Sequence, residues 1–184
     1  MKKSILTALS GLLLTTSVNA QQPQQGTDVL VEYYSLSGNT EKIANKIAEQ
    51  TGADVFKIEL VTPYPESYRE QTELAKKELS EGYLPPIKGL PENMDKYNVV
   101  FIGSPVWWGT MATPVRTFLA SGVLKGKKVI PFVTHGGGGA DKSFTDTAEL
   151  CKDCDVNLNG WSGYGSMSLG LSKWVKNNLN NEDK

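Results

Sequence analysis

Histidine is nearly absent from this chain of 184 residues: His135 stands alone. No histidine-based metal site and no two-histidine proton relay can be built from it. Cysteine is almost as scarce, and Cys151 and Cys154 are too few to close a four-ligand zinc site. Excess positive charge is missing too, since 19 Lys and Arg against 20 Asp and Glu leave a formal charge of −1. The only tight basic cluster, "KGKK" at Lys125–Lys128, reads as a solvated turn before a strand. No nucleic-acid partner is expected, because phosphate backbones call for a concentrated basic face. The most apolar stretch, Ile5 to Val18, is interrupted by Thr, Ser and Gly and falls short of the roughly 20 residues of a membrane span.

That stretch has a different reading. In "MKKSILTALSGLLLTTSVNA" two lysines precede the apolar run, and Val18-Asn19-Ala20 places small residues where a signal peptidase cuts. Residues 1–20 are expected to be a cleavable secretory signal. The polar "QQPQQGT" of residues 21–27 is expected to be a tether, and residues 28–184 to form one domain. The protein should then be exported, periplasmic or extracellular, with no stable membrane insertion after cleavage. The signal carries Lys-Lys and no Arg-Arg pair, which resembles the route for unfolded chains, so any cofactor would be acquired outside the cytoplasm.

Five short apolar, β-branched runs recur at Val29–Tyr34, Ala53–Ile58, Val99–Ser104, Lys128–Val133 and Val156–Trp161. Helical spacing lies between them. Ile43, Ala44, Ile47 and Ala48 mark a first helix ended by Gly52, and Tyr68, Thr72, Ala75 and Leu79 a second stopped by Gly82. Val115, Phe118 and Leu119 mark a third, with Thr113 as its expected N-cap and Pro114 in first position. Phe144, Thr147, Ala148 and Cys151 mark a fourth, and Trp174 and Val175 lie on a last one. Strands alternating with helices predict an α/β fold, a three-layer doubly wound sandwich around a five-stranded parallel sheet. Ligands in such sheets sit beyond the carboxyl ends of the strands, so function belongs to the loops after strands one, three and four.

The first of these loops, "SLSGNT", presents backbone N–H groups and the hydroxyls of Ser35, Ser37 and Thr40 at a helix N-terminus, while Gly38 lets the chain turn tightly. It has no lysine and one glycine, which excludes a Walker loop and the dinucleotide fingerprint. A monophosphate held by neutral donors fits. The second, "GSPVWWGTMATP", sets Trp107 and Trp108 between Pro105 and Gly109, where they cannot both reach the core and one is free to stack on a flat ring. The third, "THGGGGADKS", places Gly136, Gly137, Gly138 and Gly139 where a main chain must lie flat against something bulky. Together the loops call for a ligand with a phosphate at one end and a flat ring at the other.

"SLSGNT", "PYPESY", "GSPVWWGTMATPVRTFL" and "PFVTHGGGG", in this order and spacing, resemble the flavodoxin family, and the likeness runs from about Val29 to Trp174. The resemblance implies the strand order 2-1-3-4-5 and FMN as cofactor. It assigns Ser35, Leu36, Ser37, Gly38, Asn39 and Thr40 to the phosphate loop, and Pro105, Val106, Trp107, Trp108 and Gly109 to the loop flanking the isoalloxazine, with Trp107 stacking. His135, Gly136, Gly137, Gly138 and Gly139 fall on the ring's other edge. Electron-carrying members place a tyrosine over the ring from that loop, and here only glycines and Ala140 stand, so one face is expected to be open. The short interval before the last helix resembles the short-chain form.

The resemblance leaves three functions in view: an electron carrier docking to redox partner proteins, an FMN-dependent NAD(P)H reductase of small quinone-like acceptors, and a binder without turnover. The peptide beside Gly109 is expected to rotate cheaply and offer a carbonyl to the flavin. "CKDC" closes a helix, where the partial negative charge disfavours a thiolate, so a thioredoxin-like nucleophile is not expected. Three residues apart on a helix, the two Cα atoms lie about 5 to 5.5 Å apart, within the disulfide range of about 4.4 to 6.8 Å, and a structural disulfide is expected.

Overall fold

The apolar runs that alternate with amphipathic helices fold as a parallel sheet because both faces of each strand must be covered. The computed structural model describes residues 28–179, so the expected signal and tether lie outside the described residues. The elements in chain order are β1 (Val29–Tyr33), α1 (Asn39–Thr51), β2 (Asp54–Lys57), α2 (Tyr68–Glu81), β3 (Val99–Trp107), β4 (Thr110–Met111), α3 (Thr113–Ala120), β5 (Lys128–His135), α4 (Ser143–Leu150), β6 (Asp155–Val156), β7 (Trp161–Tyr164) and α5 (Leu171–Leu179).

The sheet order is β2-β1-β3-β5-β6, all parallel, with β7 also on β5. The five sheet positions are those expected. The fifth strand, however, is split: Asp155 and Val156 pair with Lys128 and Val129, the chain then leaves the sheet, and pairing resumes at Phe132↔Trp161 and ends at His135↔Tyr164. A two-residue strand, β4, folds back antiparallel on the end of β3.

Alternation along β1 sends Val31 and Tyr33 to one core and Leu30 and Tyr34 to the other. Ile43, Ala44 and Ile47 of α1, with Leu171 and Val175 of α5, cover the first face, and Val115, Phe118 and Leu119 of α3 cover the second. Gly52 and Gly82 end α1 and α2 in the left-handed region, as the sequence predicts. Two expectations need correction. Thr113 is the first residue of α3, Ala112 is its cap, and the Thr113 hydroxyl instead donates to Glu78 Oε2 at 2.6 Å. Tyr68, placed on the buried stripe of α2, is 80% exposed; Ala75 and Glu78 are the buried residues there.

Candidate functional site

The chain leaves β1 at Tyr33 and must enter α1 at Asn39 within a few residues, and Gly38, at φ 83°, makes the turn. Asn39 Nδ2 donates to Ser37 Oγ at 3.3 Å and braces the loop. Among the described residues, no backbone N–H from Ser35 to Glu41 donates to another protein atom. These donors lie at the N-terminus of a 13-residue helix, where unpaired N–H groups and the helix dipole favour an anion. Ser35 adds a buried hydroxyl without a partner, an uncommon state for a polar atom. The Thr40 hydroxyl, by contrast, already shares a hydrogen bond of 2.9 Å with Thr134 Oγ1 and ties α1 to the end of β5.

Among the described residues, no side-chain cation makes a hydrogen bond or ion pair to Ser35–Thr40. Glu41, in the first turn of α1, accepts from Lys57 at 3.2 Å and from the Tyr33 hydroxyl at 3.0 Å. These bonds hold its carboxyl below the usual range, so it stays ionised but compensated. Burial, then the bond to Glu41, pushes the Tyr33 phenol well up.

Beyond β3 the structure differs from an open loop. The strand runs on through Pro105 and Val106 to Trp107, and Trp107 pairs with Thr110. Trp108 and Gly109 form the two-residue turn, at φ 51° and 82°, the pattern of a type I′ hairpin. Ser104 pins the hairpin base, donating to the Pro105 carbonyl at 2.8 Å and accepting from Ala112 N–H at 2.9 Å. The expected rotation of the peptide beside Gly109 finds no support. The Gly109 carbonyl accepts from Lys142 N–H at 3.0 Å, and turning the central peptide over would demand a type II′ turn with glycine at the Trp108 position.

The two tryptophans separate. Trp107 is half-buried and meets Tyr34 and Tyr64 in edge-to-face contacts, with ring centroids 5.7 and 5.2 Å apart. Behind them the buried Glu78 carboxylate accepts from the hydroxyls of Tyr64 and Thr113. Burial and the Glu78 charge raise the Tyr34 and Tyr64 phenols, so both stay protonated donors. Trp108 is 55% exposed, with Nε1 donating to the Thr72 carbonyl at 3.1 Å and Lys76 Nζ 4.9 Å from its ring.

A cleft of about 380 Å³ joins the three loops, with Ser37 and Asn39 at one end and Pro105, Val106 and Trp107 along one wall. Thr134, His135, Gly136, Tyr164 and Gly165 form the other wall. Its size is that of a small-molecule site. The structure thus brings Ser37, Asn39, Pro105, Val106, Trp107, His135 and Gly136 to one cavity, while Ser35 and Leu36 line an adjoining one on the β2 side. Trp108 and Gly137–Gly139 are not among its walls. His135 Nδ1 accepts from Gly137 N–H at 3.0 Å, which leaves the proton of the neutral ring on Nε2.

The sequence reading missed Tyr164. It is 56% exposed, with its ring 6.3 Å from that of His135. The fifth strand thus brings an aromatic side chain to the cleft wall next to His135, through the His135↔Tyr164 register. The missed signal was the alternation in "WSGY", with Trp161 and Gly163 inward and Ser162 and Tyr164 outward.

Known structures share this fold. A protein from Bacteroides eggerthii described as a flavoprotein superposes with a TM-score of 0.71 at 29% identity, over 83% of this chain and 96% of that one. A flavoprotein from Lactobacillus acidophilus, solved in complex with FMN, gives 0.66 at 24% identity over 79% and 97%. Residues 28–178 match the sequence signature of the family described as Flavodoxin. The loops, the split parallel sheet and this match lead to one statement: the chain belongs to the flavodoxin family.

Proposed function

We propose that the protein binds FMN and serves electron transfer outside the cytoplasm, exchanging electrons with redox partner proteins or small quinone-like acceptors. The observation that carries this reading is the run of unpartnered N–H groups from Ser35 to Glu41, whose Ser37 and Asn39 line one end of a cleft between Trp107 and Tyr164, with the orphaned Ser35 hydroxyl in the adjoining cavity. The phosphate of FMN would be held by the Ser35–Glu41 backbone with the hydroxyls of Ser35 and Ser37. The ring would lie along Pro105–Trp107, with His135, Gly136 and Tyr164 opposite. The solved Lactobacillus acidophilus complex with FMN supports this choice of ligand.

Bound FMN would supply one- and two-electron chemistry. The chain's part is to hold it and set its surroundings. Ser35–Thr40 contains no Lys or Arg, and Lys57, bonded to the adjoining Glu41, is compensated by that carboxylate, so the phosphate would keep much of its charge and work against further negative charge on the ring. His135 lines the cleft with its Nδ1 already engaged by Gly137 N–H.

The experiment is an assay of the FMN-loaded protein with NADH or NADPH and a soluble acceptor, alongside the same protein coupled to a separate flavodoxin reductase. An electron carrier oxidises neither nicotinamide alone and turns over with the reductase. Turnover without it would make the protein a reductase, and none in either assay would leave a binder.

A further inference from the structure

A second cavity, of about 330 Å³, lies on the opposite side of the β3–β4 hairpin from the proposed FMN cleft. Its floor is Ala75 of α2, its walls are Tyr68, Trp107 and Trp108, and Leu36 of the phosphate loop closes one end. Val106 and Trp107 belong to both cavities, so a ligand in the second would sit one residue layer from a ligand in the first.

The walls define the chemistry of the occupant. Three aromatic side chains around one space favour a planar ring system, by stacking or edge contact. No Lys, Arg, Asp or Glu of the described residues lines the groove; Lys76 is engaged over the Trp108 ring instead. A charged ligand, and the pyrophosphate of a nicotinamide dinucleotide in particular, would find no compensating charge there. The polar groups are few and directional. Gln71 Nε2 donates to the Pro65 carbonyl at 2.6 Å and the Thr72 hydroxyl donates to the Tyr68 carbonyl. The Tyr68 hydroxyl has no partner among the described residues and remains a free donor. The Trp108 wall is fixed by its Nε1 bond to Thr72, so the groove exists before a ligand arrives.

The geometry points to a binding site for neutral, planar, two-ring carbonyl compounds of the quinone class, with one carbonyl accepting from Tyr68. A neutral ring with hydrogen-bond acceptors at its edge uses the features of the groove: aromatic walls, no charge among the described lining residues, and the free Tyr68 hydroxyl as donor. The site's use for electron acceptance rests on the FMN reading above; the binding does not.

The test titrates 1,4-naphthoquinone into the apoprotein and into the FMN-loaded protein by equilibrium dialysis, followed in parallel by tryptophan fluorescence. Saturable binding of one quinone is expected in both forms, with the FMN dissociation constant unchanged by saturating quinone. Tyr68→Ala removes one wall at an exposed position and should weaken the quinone at least tenfold, while Tyr68→Phe should weaken it several-fold. Neither should alter the far-ultraviolet circular dichroism or FMN affinity. Mutually exclusive binding of quinone and FMN would make the groove part of the flavin cleft and overturn the proposal. Unaltered quinone affinity in Tyr68→Ala would do so equally. Failure of FMN to bind at all would sink the function proposed above and leave the apoprotein titration decisive for this one.

Discussion

Glu32 sits fully buried in the central strand β1 with neither carboxylate oxygen hydrogen-bonded. Burial pushes its pKa well above the ordinary value, so the folded protein holds it neutral. In the unfolded chain it ionises near about 4.3. Its contribution to stability is therefore fully present below that pH and is lost as the pH rises through the folded value. Glu32→Leu, which removes the unsatisfied group at similar volume, should stabilise the protein by about 1 to 3 kcal/mol near neutrality. Urea titrations at several pH values should show the gap between variant and parent widening from pH 5 to pH 8; a constant gap would contradict this account. Ser35 carries a related prediction with a split sign. Ser35→Ala removes a buried hydroxyl that nothing satisfies in the apoprotein, so apo stability should hold or rise while FMN affinity falls by about 0.5 to 1.5 kcal/mol. Loss of both together would make Ser35 a structural residue.

The β3–β4 hairpin and α4 are the elements whose local chemistry bears most on the site. Gly109 stands at φ 82°, and a Cβ there would run into the Asp141 carboxylate. Gly109→Ala should destabilise by about 1 to 3 kcal/mol through backbone strain and the clash. Pairing it with Asp141→Ala should recover the steric part alone, and full recovery in thermal melts would show that the backbone tolerates the turn. At the far end of α4, Cys151 and Cys154 form the expected disulfide with Cα atoms 5.4 Å apart, but in the turn that follows Leu150 rather than on the helix. Asp155 next to it pairs with Lys128 at the start of β5, and His135 ends that strand, so the bond lies at the opposite end of the sheet from the cleft. Its loop encloses two residues, and its loss should cost little, at the low end of the range of about 0 to 5 kcal/mol. Cys151→Ser with Cys154→Ser should bind FMN like the parent. A double variant that binds FMN but no longer passes electrons would make the pair a redox relay.

At the scale of the whole molecule, the parallel sheet and the helix ends were legible because they follow from local chemistry, whereas the strand order came from the resemblance to the flavodoxin family. Continuous apolar runs at Val99 and Val129 require two covered faces, and Gly52 and Gly82 fit the left-handed positions that end α1 and α2. What was not legible depends on contacts far apart in the chain. Thr113 looks like a cap until Glu78, from α2, claims its hydroxyl. The hairpin that carries Trp107 inward depends on Ser104 reaching Ala112. Tyr164 enters the cleft only because β7 finds its register on β5 after the chain has left the sheet. The turn from β1 into α1 was legible because Gly38 and the backbone N–H groups of a helix start are arranged by a short local sequence. One outcome at this scale concerns export: protein recovered outside the cytoplasm should begin after Ala20, and an N-terminus still bearing Lys2 and Lys3 there would contradict cleavage of the expected signal.

The central claim is that the Ser35–Glu41 backbone holds the phosphate of a flavin. Isothermal titration of the refolded apoprotein with FMN and then with riboflavin, which lacks only that phosphate, tests it most directly. The account predicts tight one-to-one binding of FMN and binding of riboflavin weaker by at least a hundredfold, about 2.7 kcal/mol or more. Equal affinity for the two would contradict it and remove the phosphate loop from the site.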